Sequence, residues 1–392
     1  MINTIIKGTI KVTKLIDSGG MGEVYEAVHL KNGKKFAIKF PHKHLLKDEE
    51  FIKRFTSESK IACLARNKNI VKGYGRGRIN GLPYLIMEYV NGLSLKDYLA
   101  KKKRLHPKEA LNIINQIARA LDYLYRKKLI RAHRDLKPSN LLVASNMTIK
   151  LMDFGVVKTD LNSELTKTRS KIGAVCYASP EQIKDPKRVS ISSDIWSLGV
   201  MFYELLSGEK PFDGANEASL FFQILYTHPR PLAGNIEEML CWGIISKQLM
   251  KNPEKRTKTP RALLLELSTL SQKLEKSEGE LKAQKYFRVV ISIGALVLPV
   301  LLALTTQGNV ARNGLGKLDK KISTVLEDEK VDDKKEPEKE NVYRPFVKIE
   351  EFSIKRPGED RTSFLTCTFR YFDRDGNEPE SVFVETDEKV CE

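Results

Sequence analysis

The sequence predicts an α+β fold in which strands come first and helices follow, with one membrane-crossing helix and a small β-rich tail behind them. Three observations carry this. Strand-like alternation around a glycine-rich break occupies residues 11–40, helix-period apolar patterning takes over from about residue 48, and Val289 to Thr306 is an uncharged stretch of membrane-spanning length.

At 392 residues the chain has room for a two-lobed domain with a large buried core and something smaller behind it. A formal charge of +17 invites a nucleic-acid or anionic-membrane reading, but Lys and Arg are spread along the chain and no nucleic-acid partner is expected. The densest basic run, Lys101 to Arg104, precedes Pro107 and reads as a solvated helix end. The five cysteines form no CxxC pair and no metal-ligand spacing with the six histidines, which argues against zinc. No repeat of fixed period is visible, so solenoids and propellers drop out.

Taken in order, Lys11 to Ile16 is strand-like, Ser18-Gly19-Gly20-Met21-Gly22 breaks the pattern, and Val24 to Val28 resumes it, as in a hairpin with a glycine-rich turn. Glycines let backbone amides approach phosphate oxygens closely, though the same residues also serve a plain turn. The strand Lys35 to Phe40 follows, with Lys39 on the face opposite Ile38. The helix from about Asp48 to Leu64 then carries Phe51, Phe55, Glu58 and Ala62 at helical spacing, which puts Glu58 on the apolar stripe. A carboxylate there wants a cationic partner, and Lys39 is the candidate.

Leu111 to Tyr125 is an apolar-periodic helix with Pro107 near its start, leading into His133-Arg134-Asp135-Leu136-Lys137-Pro138-Ser139-Asn140. Two short strands, Leu141 to Ala144 and Thr148 to Met152, pair as a hairpin and bring Asn140 close to Asp153. Asp135, Lys137, Asn140 and Asp153 thus gather on one edge. Asn and Asp supply the hard oxygens Mg²⁺ prefers when phosphates complete its shell, and a separate Asp can accept the proton of an attacking hydroxyl.

In order and spacing these motifs resemble the bacterial, eukaryotic-like Ser/Thr protein kinases, over residues 11 to about 270. The resemblance implies a bilobal kinase fold with a small β-rich lobe and a large helical lobe, ATP and Mg²⁺ (or Mn²⁺) as cofactors, and Ser/Thr-containing proteins as substrates. It implies that Ile16, Asp17, Ser18, Gly19, Gly20, Met21, Gly22, Glu23 and Val24 cover the ATP phosphates, that Lys39 grips the α and β phosphates, and that Glu58 holds Lys39. Ala37, Met87, Glu88 and Val90 fall at the adenine site and hinge, Asp135 matches the catalytic base, and Lys137 matches the residue that stabilises the transferred phosphoryl group. Asn140 and Asp153 match the metal ligands. Glu181 is expected to pair with Arg256, and Asp194 to brace the loop around Asp135.

Arg134 before Asp135 implies control by a phosphate in the activation segment, and Thr166 and Thr168 are the expected autophosphorylation sites. Two residues depart from the family pattern. Asp17 replaces the first glycine of the turn, and Ala174 replaces a threonine whose hydroxyl contacts the catalytic Asp and Lys. They leave a membrane-tethered pseudokinase as the alternative reading. A small-molecule phosphotransferase is opposed by Lys137 and by Ser179-Pro180-Glu181, which in the family serve peptide substrates.

The expected organisation is a kinase domain at 1–270, a juxtamembrane segment at 271–288, a transmembrane helix at 289–306, a charged linker at 307–342 and a β-rich module at 343–392. No secretory signal opens the chain, and the need for ATP places the kinase domain in the cytosol and the tail outside it. Within the tail, 346–354, 363–372 and 381–385 alternate like strands, and Cys367 and Cys391 either pair or remain free thiols. Dimerisation is an expectation from the resemblance alone.

Overall fold

The computed structural model describes residues 1–154, 175–232, 234–277 and 279, together with the backbone of three strands between 347 and 385. The chain divides into two compact units, Met1–Arg288 and Val289–Glu392.

The first unit opens with a six-stranded antiparallel sheet built from β1 (Ile5–Ile6), β2 (Ile10–Gly19), β3 (Gly22–His29), β4 (Lys35–Pro41), β5 (Gly73–Ile79) and β6 (Leu82–Glu88), in the spatial order β1-β2-β3-β4-β6-β5. Its alternation is that of a sheet covered on one side by its own small core: Val12, Tyr25, Ala27, Ile38, Phe40, Tyr84 and Ile86 are buried together. Ala37, Leu85 and Met87, on the other face, join the larger core with helix α1 (Glu49–Leu64). Asp48 starts α1 by accepting hydrogen bonds from the amides of Glu50 and Phe51 at 2.8 and 3.1 Å. Asn80 and Gly81 both take positive φ, which turns β5 into β6 as a tight hairpin.

Helices follow: α2 (Leu95–Lys102), α3 (Pro107–Arg126), α4 (Pro180–Lys184), α5 (Ile191–Ser207), α6 (Glu217–Tyr226), α7 (Ile236–Gln248) and a last one over 260–277. A small sheet of β7 (Gly92–Ser94), β8 (Leu141–Ala144) and β9 (Ile149–Leu151) lies among them. Apolar residues surround α5 almost completely, with Ile195, Trp196, Leu198, Val200 and Met201 at most 1% exposed. A helix apolar all round has to be central, and this one organises the helical lobe. It ends at Gly208, whose φ of 78° is the left-handed stop that glycine accepts most readily.

In the second unit β10 (Val347–Lys355), β11 (Phe364–Tyr371) and β12 (Val382–Glu385) form an antiparallel sheet in that order, with Cys367 opposite both Phe352 and Val384. The span at 289–306, the linker, Thr166, Thr168, Ala174 and Cys391 lie outside the described residues. Among the described residues no helix is long and apolar enough to cross a membrane.

Candidate active site

The glycine-rich break is the tip of the β2–β3 hairpin, where pairing runs out to Gly19 opposite Gly22 and leaves Gly20 and Met21 as the turn. Asp17 and Ser18 are therefore strand residues, beyond Ile16, where the alternation alone ends β2. A Cβ on Gly22 would stand 2.1 Å from the carbonyl oxygen of Phe40, so only glycine lets β3 lie this close to β4. At Gly19 and Gly20 nothing lies within 4 Å of a Cβ, and the backbone there is open to a ligand. The Asp17 carboxylate accepts the amide of Ser18 at 2.9 Å. Just past β4, His42 reaches back to the Gly19 carbonyl through Nε2 at 2.7 Å. That oxygen can only accept, so the imidazole donates. Glu23 is bonded to the Tyr25 hydroxyl at 2.6 Å.

Lys39 sits opposite Val24 on one side of β4 and Leu85 on the other, with its ammonium buried. Its ion-pair partner is Asp153. The expected grip by Glu58 is not what the structure holds: Glu58 makes no hydrogen bond with Lys39, and the two share a cavity of about 20 Å³ with Phe55, Met87 and Phe154. That is room for about one water. The physical reason is competition for one buried ammonium, which the Asp153 carboxylate wins by direct contact. Burial pulls the Lys39 ammonium down, but Asp153 and Glu58 together outweigh it and hold it above the ordinary lysine range. Burial pushes Glu58 the other way for an acid, up to about 7, with Lys39 opposing the rise.

Ala37 pairs across the sheet with Met87, and both are buried, so the floor beside Lys39 is apolar. Glu88 closes β6 and holds Lys150 at 2.7 Å, while Val90 packs against the larger core.

The β8–β9 pairing, Leu141 opposite Leu151, brings Asn140 next to Met152, whose amide donates to the Asn140 carbonyl at 3.0 Å. Asp153 follows directly with a φ of 53°. Asp135 is clamped. Lys137 Nζ donates to both of its oxygens at 2.9 and 2.8 Å, and Asn140 Nδ2 donates to its carboxylate at 3.1 Å and its carbonyl at 2.8 Å. Asp135, Lys137 and Asn140 are thus in direct contact, while Asp153, next to the Met152 that bonds Asn140, holds Lys39.

The loop's shape comes from α5. Asp194, 1% exposed, accepts the amides of His133 at 2.7 Å and Arg134 at 3.0 Å, with the Tyr125 hydroxyl at 3.3 Å. Those bonds fix Arg134 at a φ of 70°, a conformation a non-glycine residue keeps only when its surroundings impose it. Glu181 meets Arg256 as a two-pronged pair at 2.7 and 2.9 Å. Burial alone would raise the Glu181 carboxyl, but the Arg256 fork holds it below the usual range.

The family model of the protein kinase domain matches residues 10–267 of the chain. The chain belongs to the protein kinase family. The kinase domain is 38% identical over 220 residues to the serine/threonine-protein kinase PrkC of Bacillus subtilis, covering 56% of this chain and 34% of that protein. It is 33% identical over 262 residues to PknB of Mycobacterium tuberculosis, 65% of this chain and 41% of PknB. With PknA of the same organism it shares 34% over 260 residues, 65% of this chain and 59% of PknA. The chain therefore spans between a third and three-fifths of the length of these relatives. Sequence reasoning did not single out His42, Tyr125 or Gln182 in the kinase domain. Gln182 donates to the Arg134 carbonyl at 2.9 Å across 48 residues of chain, and no local pattern announces such a contact. For His42 the only signal was its place just past the strand that carries Lys39.

Proposed function

We propose that this chain is a Ser/Thr protein kinase that transfers the γ-phosphoryl group of ATP to Ser and Thr hydroxyls of proteins. The observation that carries the reading is the Asp135 carboxylate held between Lys137 and Asn140 on a loop fixed from the core. Membership of the family implies ATP and a divalent metal, and the residues fit both. The backbone at Gly19 and Gly20 is open, Lys39 offers a buried cation, and Asn140 spends only its Nδ2 on Asp135, leaving Oδ1 without a partner among the described residues. No group of three or more His, Cys, Asp and Glu among the described residues forms a protein-only cage. Asn140 and Asp153 would then share a Mg²⁺ or Mn²⁺ ion with phosphate oxygens, and the ion would neutralise charge on them.

Asp135 accepts the proton of the substrate hydroxyl as its oxygen bonds to the γ-phosphorus and the bond to the β-phosphate bridging oxygen breaks. Lys137, already on Asp135, balances charge on the group in transit. Lys39 reaches phosphate once it leaves Asp153, and Glu58 is the carboxylate placed to receive it. The hairpin Ile16 to Val24 closes over the phosphates, and Ala37, Met87, Glu88 and Val90 form the adenine side. In the same reading Thr166 and Thr168 are autophosphorylated, residues 289–306 anchor the chain in a membrane with the kinase domain in the cytosol, and the protein signals from there, alone or as a homodimer.

The test is incubation of residues 1–285 with Mg²⁺ and labelled ATP beside an Asp135→Asn control. Label on Ser or Thr that vanishes in the control supports the kinase. No label with ATP still bound favours a nucleotide-binding scaffold, for which Asp17 and Ala174 are the sequence departures.

A further inference from the structure

The basic run Lys101 to Arg104 reads as a solvated helix end, yet the fold treats it as a fixed part. Backbone bonds hold it: Lys103 N donates to Leu99 O at 2.7 Å, and Leu105 N donates across to Leu205 O on α5 at 2.7 Å. Lys103 has a φ of 66°, a strained choice for a side-chain-bearing residue. Its carbonyl lies 2.8 Å from where a Cβ on Gly208 would stand, so the end of α2 is seated on the glycine that ends α5. Strain and close packing at a charged surface run are what a binding role would need and a solvated helix end would not.

What this seating builds is a cavity of about 510 Å³, lined by Lys96, Lys103 and Arg104 from α2 and its end, by Pro138 and Tyr177, and by Glu204 and Glu209. Pro138 directly follows Lys137, the residue on Asp135, so the cavity adjoins the loop that would do the chemistry. None of the three cations enters an ion pair or side-chain hydrogen bond among the described residues. On the acidic side, Glu204 is half-buried and occupied by the Tyr177 hydroxyl at 2.5 Å, which leaves Glu209 alone opposite three free cations. The room fits a side chain, and the unspent charge is positive.

We infer that this cavity is a substrate subsite that receives an acidic or phosphorylated side chain flanking the target hydroxyl, with Lys96, Lys103 and Arg104 as the specificity-determining residues. This rests on the kinase reading of the neighbouring loop. An extended peptide with its hydroxyl at Asp135 has residues within a few positions that reach Pro138, since each residue advances ~3.3 Å. Partly sheltered charge pairs of this kind steer and select more than they tighten.

The experiment uses the full-length chain and three peptides sharing one Thr, flanked by Asp and Glu, by Ala, or by Lys. The acidic peptide is expected to show a kcat/KM about tenfold above the alanine peptide, equivalent to ~1.4 kcal/mol. Lys96→Gln with Arg104→Gln should bring the two within about threefold, and Lys96→Glu with Arg104→Glu should place the lysine peptide first. Thermal melts that match the wild type report that both variants fold. Equal use of the three peptides by the wild type, or an acidic preference that survives both variants, overturns the subsite. If no peptide is phosphorylated, the kinase reading fails, and the subsite is judged by anisotropy of the labelled acidic peptide: binding lost in the glutamate variant supports it, and binding equal to the alanine peptide overturns it.

Discussion

Glu58 is an acid kept in a space too small to solvate it. Its carboxyl stands at about 7 against an ordinary 4.5, because burial costs more than Lys39 returns. Between those two values the folded chain keeps a proton the unfolded chain has released, so stability falls as pH rises across that window, by up to roughly 3 kcal/mol. Thermal melts of the wild type and Glu58→Gln from pH 4.5 to 7 check this: the wild-type Tm drops along the series and the variant's slope is flatter, and parallel slopes would remove Glu58 as the cause. His42 allows a second prediction. If its bond to Gly19 steadies the phosphate-facing hairpin, His42→Ala raises the KM for ATP about three- to tenfold, the worth of roughly one hydrogen bond, with little change in kcat. His42→Gln, which keeps a donor, recovers most of the loss; a fall in kcat alone would point elsewhere. The candidate residues themselves could be named from the sequence because Lys39, Asp135, Asn140 and Asp153 stand in motifs. Their partners were less so. Whether Lys39 rests on Glu58 or Asp153 depends on fractions of a helix diameter between α1 and β9, which spacing along a chain does not encode.

Among the elements, α5 and the segment around Arg256 depend on one another. The Arg256 side chain is fully buried, stacked on Trp196 and bonded to Glu181. Arg256→Leu strands a buried carboxylate and is expected to cost ~3–5 kcal/mol, read as a loss of several degrees in Tm; a change below about 1 kcal/mol would mean the pair is replaceable. At the hairpin, Gly22→Ala forces a methyl into the Phe40 carbonyl, and ATP binding measured by calorimetry should weaken along with stability. Element types followed from the sequence because period and breakers agreed. α1 was expected from Asp48 and runs from Glu49 with Asp48 as its cap, while α3 begins at Pro107, where proline is best tolerated. Ends were harder to place where pairing overrides alternation. β2 continues past Ile16 to Gly19 because β3 lies alongside to receive its hydrogen bonds, and two register shifts within β2 disturb the very alternation that marks a strand.

Over the whole molecule, everything placed in the candidate site belongs to Met1–Arg288. Residues 1–285 are expected to fold and bind ATP without the rest. If 289–306 anchors the protein, the full chain sediments with membranes and resists carbonate extraction while residues 1–285 stay in the supernatant; equal partitioning of both would remove the anchor. The seating of Lys103 on Gly208 joins segments about a hundred residues apart and was not visible in the sequence. Asp194 carries a further consequence. The carboxylate that shapes the reactive loop belongs to the most enclosed helix among the described residues, so the loop has no independent way to loosen. Heating would then leave catalytic competence intact until the interior itself gives way, and the enzyme would fail abruptly, all its parts at one temperature, instead of fading.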